Sequence, residues 1–131
     1  MKNISVLDTS LTAFNLGNEI IMDAVNNVIR ELFEDSFLIR IQCMDKIGPL
    51  SLRYIHESNL SFIGGSNLLT SQMNKYKQIG FTPMSMLRSQ DMILLGVGWW
   101  QYQRDPNMIS RLFLSIGCLK VIDFPLMSAI R

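Results

Sequence analysis

The fold is decided by a short apolar run that stops at two glycines, LSFIGGSNLL at residues 60–69. A short apolar run of this kind is typical of a strand that is buried on both faces of a sheet. The glycines at its end predict a loop whose backbone lies close to another group. The same pattern, an apolar run that ends in glycines, recurs about thirty residues later in MILLGVG, at residues 92–98. Because parallel sheets bind ligands outside the carboxyl ends of their strands, we predict that both glycine loops border one cleft.

The segment before this run alternates between strand and helix. Residues 4–7 and 37–42 are apolar runs that predict the first and second strands. Between them, apolar residues recur at helical spacing from position 20 to position 32, opposite a polar face, which predicts an amphipathic helix. We expect Asn18 to cap this helix and Glu19 to lie in its first turn, where a carboxylate is favoured.

Further helices and a last strand are expected on either side of the second glycine run. Weaker helices are predicted at residues 47–57 and 84–89. A clearer one is predicted at 108–116, since an aspartate and a proline precede it. Residues 119–122 predict a short final strand. The alternation predicts an α/β domain with a mainly parallel sheet and, through right-handed crossovers, helices on both faces.

Length and composition describe one globular domain. The chain has 131 residues, of which 48% are hydrophobic and 18% charged, enough for a single core. The strands at 60–63 and 92–97 should be central in it, because both are uninterrupted apolar runs. The formal net charge is +1 and the Lys and Arg residues are scattered, which argues against nucleic acid, since phosphate binding needs clustered cations.

The cysteines and the amino terminus indicate the cellular compartment in which the protein is expected. Cys43 and Cys118 have no CxxC or Cys/His spacing, which indicates buried structural thiols in a reducing compartment. The first residues, MKNISV, contain too few apolar positions for a signal peptide, and no run approaches a transmembrane segment. We therefore expect a cytoplasmic protein without a bound metal or cofactor.

The strongest candidate binding segment precedes the first helix. It contains Asn15, Gly17, Asn18 and Glu19, and a glycine turn that delivers polar side chains to a helix start can hold a carboxylate, a phosphate or a sugar hydroxyl. The alternative is a capped helix that binds nothing.

A second candidate segment follows the central strand. Gly64, Gly65, Ser66 and Asn67 offer backbone amides, a hydroxyl and a carboxamide. The segment lacks the lysine of a P-loop and the GxGxxG pattern of a dinucleotide site.

The third candidate segment joins Gly96, Gly98 and Trp99. Trp99 and Trp100 can stack on a sugar ring, or can pack against the core or a neighbour. His56, the only histidine, is predicted to be a solvated helix residue, with a pH-sensitive role as the alternative.

Taken together, three motifs in this order resemble the polysaccharide pyruvyl transferase family: Asn15-x-Gly17-x-Glu19 before an apolar helix, then residues 62–69, then residues 94–98. The resemblance covers roughly residues 8–115. It implies a fold similar to the GT-B glycosyltransferases, with two Rossmann-like domains facing one cleft. It also implies an activity in polysaccharide biosynthesis, transfer of a pyruvyl group from phosphoenolpyruvate to a saccharide as a ketal. The family's motif is usually Asn-x-Gly-Asp-Glu, and Asn18 stands where aspartate is usual.

The resemblance also implies an incomplete enzyme. Family members are much longer, and their second half supplies the other wall of the cleft. Their usual His-Ser-Val-Arg-Asp segment after the last strand is not matched by residues 123–131. We therefore expect residues 1–131 to form a single Rossmann-like domain, the first half of a two-domain transferase, with an atypical tail at 118–131. Such a chain would be a truncated or frame-disrupted product, or a diverged remnant.

Two functions stay open at this point. One is a transferase half that needs a second domain and orients a saccharide or an anionic group mainly by positioning. The other is a non-catalytic binding or assembly module on the same scaffold. The sequence shows no Ser/His/Asp, Cys/His or metal pattern, so no catalytic residue is assigned. The expected partners are a saccharide acceptor and phosphoenolpyruvate. Exposed Trp99, Trp100 and residues 124–127 predict self-association or low solubility.

Overall fold

The computed structural model describes residues 1–73, 75, 79–82, 84–85, 88–89, 91–100, 105–116 and 119–120. In chain order its elements are β1 (Lys2–Asp8), α1 (Leu16–Leu32), β2 (Ser36–Gln42), α2 (Pro49–Glu57), β3 (Leu60–Gly64), β4 (Leu69–Thr70), β5 (Met92–Leu95), β6 (Trp99–Trp100), α3 (Met108–Ile116) and β7 (Leu119–Lys120).

The main sheet has five strands in the order β2-β1-β3-β5-β7, and every pairing in it is parallel. This confirms the predicted α/β class. β3 is the middle strand and β5 lies between β3 and β7, so neither glycine-ended strand is at an edge. The chain moves from β1 to β2 on one side and then crosses back to β3 on the other. The strand order therefore reverses at β1, which is where open α/β sheets place a ligand crevice.

Apolar side chains are buried on both faces of this sheet. Ile4 and Val6 of β1 lie in one cluster with Met22 and Ile29 of α1. The next residue of β1, Leu7, belongs to a second cluster, because successive strand residues point to opposite faces. That second cluster also contains Ile55 of α2, Ile63 of β3 and Phe81. Helices therefore cover both faces, as the alternation predicts.

A glycine lets α1 lie close to the central strand. A Cβ atom at Gly64 would lie 2.7 Å from Sδ of Met22 and 3.0 Å from Cγ1 of Val25. No side chain larger than hydrogen fits between the helix and β3 without displacing those atoms. The close approach holds α1 against the sheet beside the carboxyl end of β3.

A second, two-stranded parallel sheet pairs Leu69 with Trp99 and Thr70 with Trp100. Sequence patterns did not predict it. The segment after β4 is anchored by α3, since Oγ of Ser110 donates to the carbonyl of Ser71 at 2.9 Å and accepts from the amide of Met73 at 2.9 Å. These two hydrogen bonds connect α3 to the segment that follows the small sheet.

The predicted start of α1 is wrong. Asn18 does not cap the helix; Asn15 does, with extended backbone, and its Oδ1 accepts a hydrogen bond from the amide of Gly17 at 2.9 Å. The helix consequently begins at Leu16, four residues before the apolar periodicity, and Asn18 lies inside its first turn. Asn15 takes this role because it comes first and because Gly17, two positions further on, leaves room for its carboxamide.

Several other boundaries are confirmed only in part. α2 begins at Pro49 instead of residue 47, with proline in the first turn, and α3 has the predicted bounds. Residues 84–85 are helical, but the rest of the predicted helix at 84–89 includes positions outside the described residues. Residues 119–120 form the predicted last strand, whereas 121–122, Cys118 and the tail at 121–131 lie outside the described residues.

Candidate ligand cavity at the sheet edge

A cavity of about 510 Å³ lies outside the carboxyl ends of β1, β3 and β5. Three segments form it: the start of α1, the loop after β3 and the loop after β5. Its lining residues are Asn15, Gly17, Asn18, Ile21, Ser66, Asn67, Gly96, Val97 and Gly98. The cavity is at the point where the strand order reverses, so its position agrees with the general rule for ligand sites in parallel sheets.

The first turn of α1 forms one wall. Its amides already have partners within the chain: Gly17 donates to the Asn15 side chain, and Asn18 and Glu19 donate to the Asn15 carbonyl at 3.0 and 3.2 Å. A Cβ atom at Gly17 would lie 3.2 Å from Oδ1 of Asn15, so the glycine keeps the cap unobstructed. The capped-helix interpretation is therefore correct for the backbone of this segment, while Asn15 and Asn18 still line the cavity.

Asn18 is the most deeply placed polar side chain of that wall. It is 5% exposed and it lines the cavity. Within the described part of the chain, no residue forms a hydrogen bond with its carboxamide. Among the described residues, the fully buried side-chain atom without a partner is Oδ1 of Asn26, so the carboxamide of Asn18 keeps contact with solvent through the cavity. A ligand in the cavity could therefore replace water at this carboxamide.

The other two walls are joined by backbone hydrogen bonds. Gly65 donates to the carbonyl of Leu95 at 3.1 Å, and Gly98 donates to the carbonyl of Ser66 at 2.9 Å. Ser66 has a φ of 77°, in the left-handed region that glycine favours, as do Gly65 and Gly96. This backbone carries the hydroxyl of Ser66 and the carboxamide of Asn67 into the lining.

The lining residues that the structure describes are uncharged. None of them is Lys, Arg, His, Asp or Glu, and no group of three His, Cys, Asp or Glu side chains in the described part of the chain could bind a metal ion. The polar groups on offer are three carboxamides, one hydroxyl and glycine backbone, beside the apolar side chains of Ile21 and Val97. Such a surface suits neutral ligands that make many hydrogen bonds.

A charged pair lies at the neighbouring strand ends. Asp8, the last residue of β1, is fully buried, and its Oδ2 accepts from Nε of Arg40 on β2 at 2.7 Å. Its Oδ1 accepts from the amide and the hydroxyl of Ser10 at 2.8 and 2.6 Å. The pair thereby fixes the start of the loop that leads to Asn15. Sequence analysis missed it, although an aspartate that directly follows an apolar strand was a signal.

Seven of the eleven predicted site residues line the cavity. They are Asn15, Gly17, Asn18, Ser66, Asn67, Gly96 and Gly98. Four others do not line it. Glu19 is exposed, Gly64 and Gly65 are buried, and Trp99 pairs in the small sheet.

Sequence analysis also missed two apolar lining residues. Ile21 follows Asn18 by three positions and so shares its side of the helix, and Val97 lies between two of the predicted glycines. The helical spacing from Asn18 could have indicated Ile21, and the position between two predicted glycines could have indicated Val97.

The remaining candidate groups lie elsewhere. His56 is exposed on α2, as predicted. Cys43 is a buried free thiol, and burial raises its pKa to about 12, with the negative charge of Asp8 adding to the effect. A cavity of about 570 Å³ near Lys2 and Ser36 lies at the amino ends of β1 and β2, away from all three motifs.

No protein-family model, curated protein or solved structure matches this chain. Any functional assignment therefore rests on the cavity and on the resemblance of its three motifs. Within the described residues, no helix is both long enough and apolar enough to cross a lipid bilayer.

Proposed function

We propose that this chain provides one wall of an active site similar to that of the polysaccharide pyruvyl transferases, within the first half of a GT-B-like fold. The observation that supports the proposal best is the convergence of three segments. The start of α1, the loop after β3 and the loop after β5 are the segments that carry the sequence resemblance, and all three line one cavity.

The proposed reaction needs groups that the described residues of the cavity lining do not contain. C2 of phosphoenolpyruvate forms bonds to two hydroxyl oxygens of the saccharide, and its bond to the phosphate oxygen breaks. Of the two hydroxyl protons, one goes to the CH2 carbon and the other leaves with inorganic phosphate. The described lining residues include no titratable side chain to move these protons and no cation to balance the phosphate. Its contribution would be to bind and orient one reactant, and a second domain would supply the charged groups.

The test is an assay of pyruvyl transfer by the 131-residue chain, alone and combined with the second half of a polysaccharide pyruvyl transferase. Release of phosphate and the ketal methyl signal in proton NMR are the readouts. We expect no transfer by the chain alone and measurable transfer by the combination. Asn67→Ala changes a residue of the cavity lining and should lower the rate of pyruvyl transfer by the combination. Asn27→Ala changes an exposed residue of α1 and should leave that rate unchanged.

Transfer by the isolated chain would disprove the half-enzyme interpretation. Absence of transfer by the combination would instead favour the second candidate, a non-catalytic binding or assembly module. The uncharged lining is the observation in favour of that candidate. A cytoplasmic location belongs to the proposal as well, since a reducing compartment keeps a thiol such as that of Cys43 free.

A further inference from the structure

The carboxamide of Asn18 has no role of its own in the proposed function. The side chain is 5% exposed, it lines the cavity, and it has no hydrogen-bond partner among the described residues. Backbone capping of α1 does not need it, because Asn15 is the cap. The carboxamide is not among the fully buried polar atoms that lack a partner in the described part of the chain, so it is reachable from the cavity, and a ligand there can replace water at both its oxygen and its nitrogen.

We propose that Asn18 is a specificity-determining residue of this cavity and that it selects a neutral sugar group in which a hydrogen-bond donor and an acceptor lie side by side. Vicinal hydroxyls and an acetamido group have this character. The inference rests on the proposed function for its substrate class, a saccharide, and adds which groups of that class the cavity accepts.

The chemistry of the carboxamide supports this choice. Asn18 offers an N–H donor and a carbonyl acceptor on neighbouring atoms, so it pairs fully only with a group that offers the complement of both. An ammonium group presents donors alone and a carboxylate presents acceptors alone. Each would leave half of the carboxamide unsatisfied.

The surroundings of Asn18 disfavour a charged group in the same place. None of the lining residues within the described ranges carries a charge that could balance an ammonium or a carboxylate drawn out of water. Ile21 lies three positions further along α1, and Val97 lines the cavity from the loop after β5. These two side chains supply apolar surface for the C–H faces of a sugar ring or the methyl of an acetamido group.

The experiment titrates the ¹⁵N-labelled chain with four sugars that differ in charge: glucose, N-acetylglucosamine, glucosamine and glucuronate. A fifth probe is phosphoenolpyruvate. The pH is kept mildly acidic so that glucosamine is protonated. The Asn18 carboxamide signals are identified by their loss in Asn18→Asp. We expect the neutral sugars to shift those signals and to bind about tenfold more tightly than the charged probes.

The isosteric variant Asn18→Asp provides the second measurement. It replaces the carboxamide by a carboxylate at a helix start, where negative charge is tolerated, so the chain should still fold. We expect its preference to invert in favour of glucosamine by about tenfold. Asn27→Asp adds the same charge to an exposed position of α1 and should leave all affinities unchanged within about twofold.

Four results would overturn the proposal. They are no binding of any neutral sugar, binding that leaves the Asn18 signals unmoved, an Asn18→Asp variant with unchanged preference, and tighter binding of phosphoenolpyruvate with a shift of the same signals. These readouts require no transfer. If Asn18→Asp inverts the sugar preference but the combined halves transfer no pyruvyl group, the role of Asn18 is supported and the transferase proposal is not. If the combined halves transfer a pyruvyl group but the preference is unchanged, the transferase proposal is supported and the role of Asn18 is not.

Discussion

Arg40 and Asp8 form an ion pair across the carboxyl ends of β2 and β1, with Nε and Nη2 of the guanidinium 2.7 and 2.6 Å from a single oxygen of the carboxylate. The Asp8 side chain is fully buried, whereas that of Arg40 is 44% exposed. The arginine therefore serves as the solvent-facing partner of a carboxylate that has no contact with water of its own. The other carboxylate oxygen holds Ser10, at the start of the loop to α1.

Removing this arginine should destabilise the chain. Arg40→Ala leaves the buried Asp8 carboxylate without its charged donor, and we expect a loss of about 1–3 kcal/mol in the free energy of unfolding. The partial exposure of Arg40 keeps the loss below that of a fully buried pair. Urea denaturation followed by circular dichroism measures it.

Arg53→Ala is the matched control for that prediction. Arg53 pairs with Glu57 at 2.7 Å on α2, but both side chains are more than half exposed. Exposed pairs of this kind contribute little, so its loss should be much smaller. Equal losses for the two variants would show that the burial of Asp8 does not matter.

Gly64→Ala should also destabilise the chain, because the new methyl group would lie within 3.0 Å of the side chains of Met22 and Val25. Forcing α1 away from β3 is expected to cost about 1–3 kcal/mol. Gly48→Ser is the control, since a Cβ atom there has nothing within 4 Å and its hydroxyl could cap α2. Thermal unfolding should show a lower midpoint for the first variant alone.

Ser66→Gly should stabilise the chain. Its φ of 77° is strained for serine and unstrained for glycine, and we expect a net gain of roughly 0.5–1 kcal/mol after the entropy cost of glycine. Ser66→Ala keeps the Cβ atom and should give no such gain. The two variants remove the same hydroxyl from the cavity, so a similar stability for both would mean that backbone strain is not involved.

The pH dependence of stability should contain a contribution from Cys43. Its pKa is 9.0 when the thiol is unperturbed and about 12 in the folded chain. Between these values the folded chain keeps a proton that the unfolded chain has released, so the free energy of unfolding falls as pH rises. From about pH 8 to about pH 10 the expected fall is about 1.4 kcal/mol.

Cys43→Ala isolates that contribution. The variant should be less stable at neutral pH, because it loses buried side-chain volume, but its stability should decrease less steeply over the same interval. Urea unfolding at both pH values measures the difference between the two slopes. Identical slopes would contradict the raised pKa of the thiol.

The sequence was most informative where a pattern is local. The apolar run at residues 60–63 predicted the central strand, and the helical spacing from position 20 predicted α1, because periodicity reports which side of an element is buried. The common edge of the glycine loops was also predictable, since all strands of a parallel sheet point the same way.

Features that depend on distant partners could not be predicted. Asn15 and Asn18 are the same residue type three positions apart, so propensity alone could not decide which of them caps α1. The partners Asp8 and Arg40 are 32 residues apart, and only the strand order brings them together. The strands that pair Leu69 with Trp99 have only two residues each, which is too few to show the alternation of apolar and polar residues that predicts a strand.

That short ladder has a consequence for how the cavity can change shape. The amide of Leu69 donates to the carbonyl of Gly98, and the amide of Gly98 donates to the carbonyl of Ser66, so the loops after β3 and β5 are linked by a continuous chain of hydrogen bonds. Opening either loop alone would break this chain of hydrogen bonds, so we expect the two loops to open together. Their amides should then exchange with deuterium in one cooperative step.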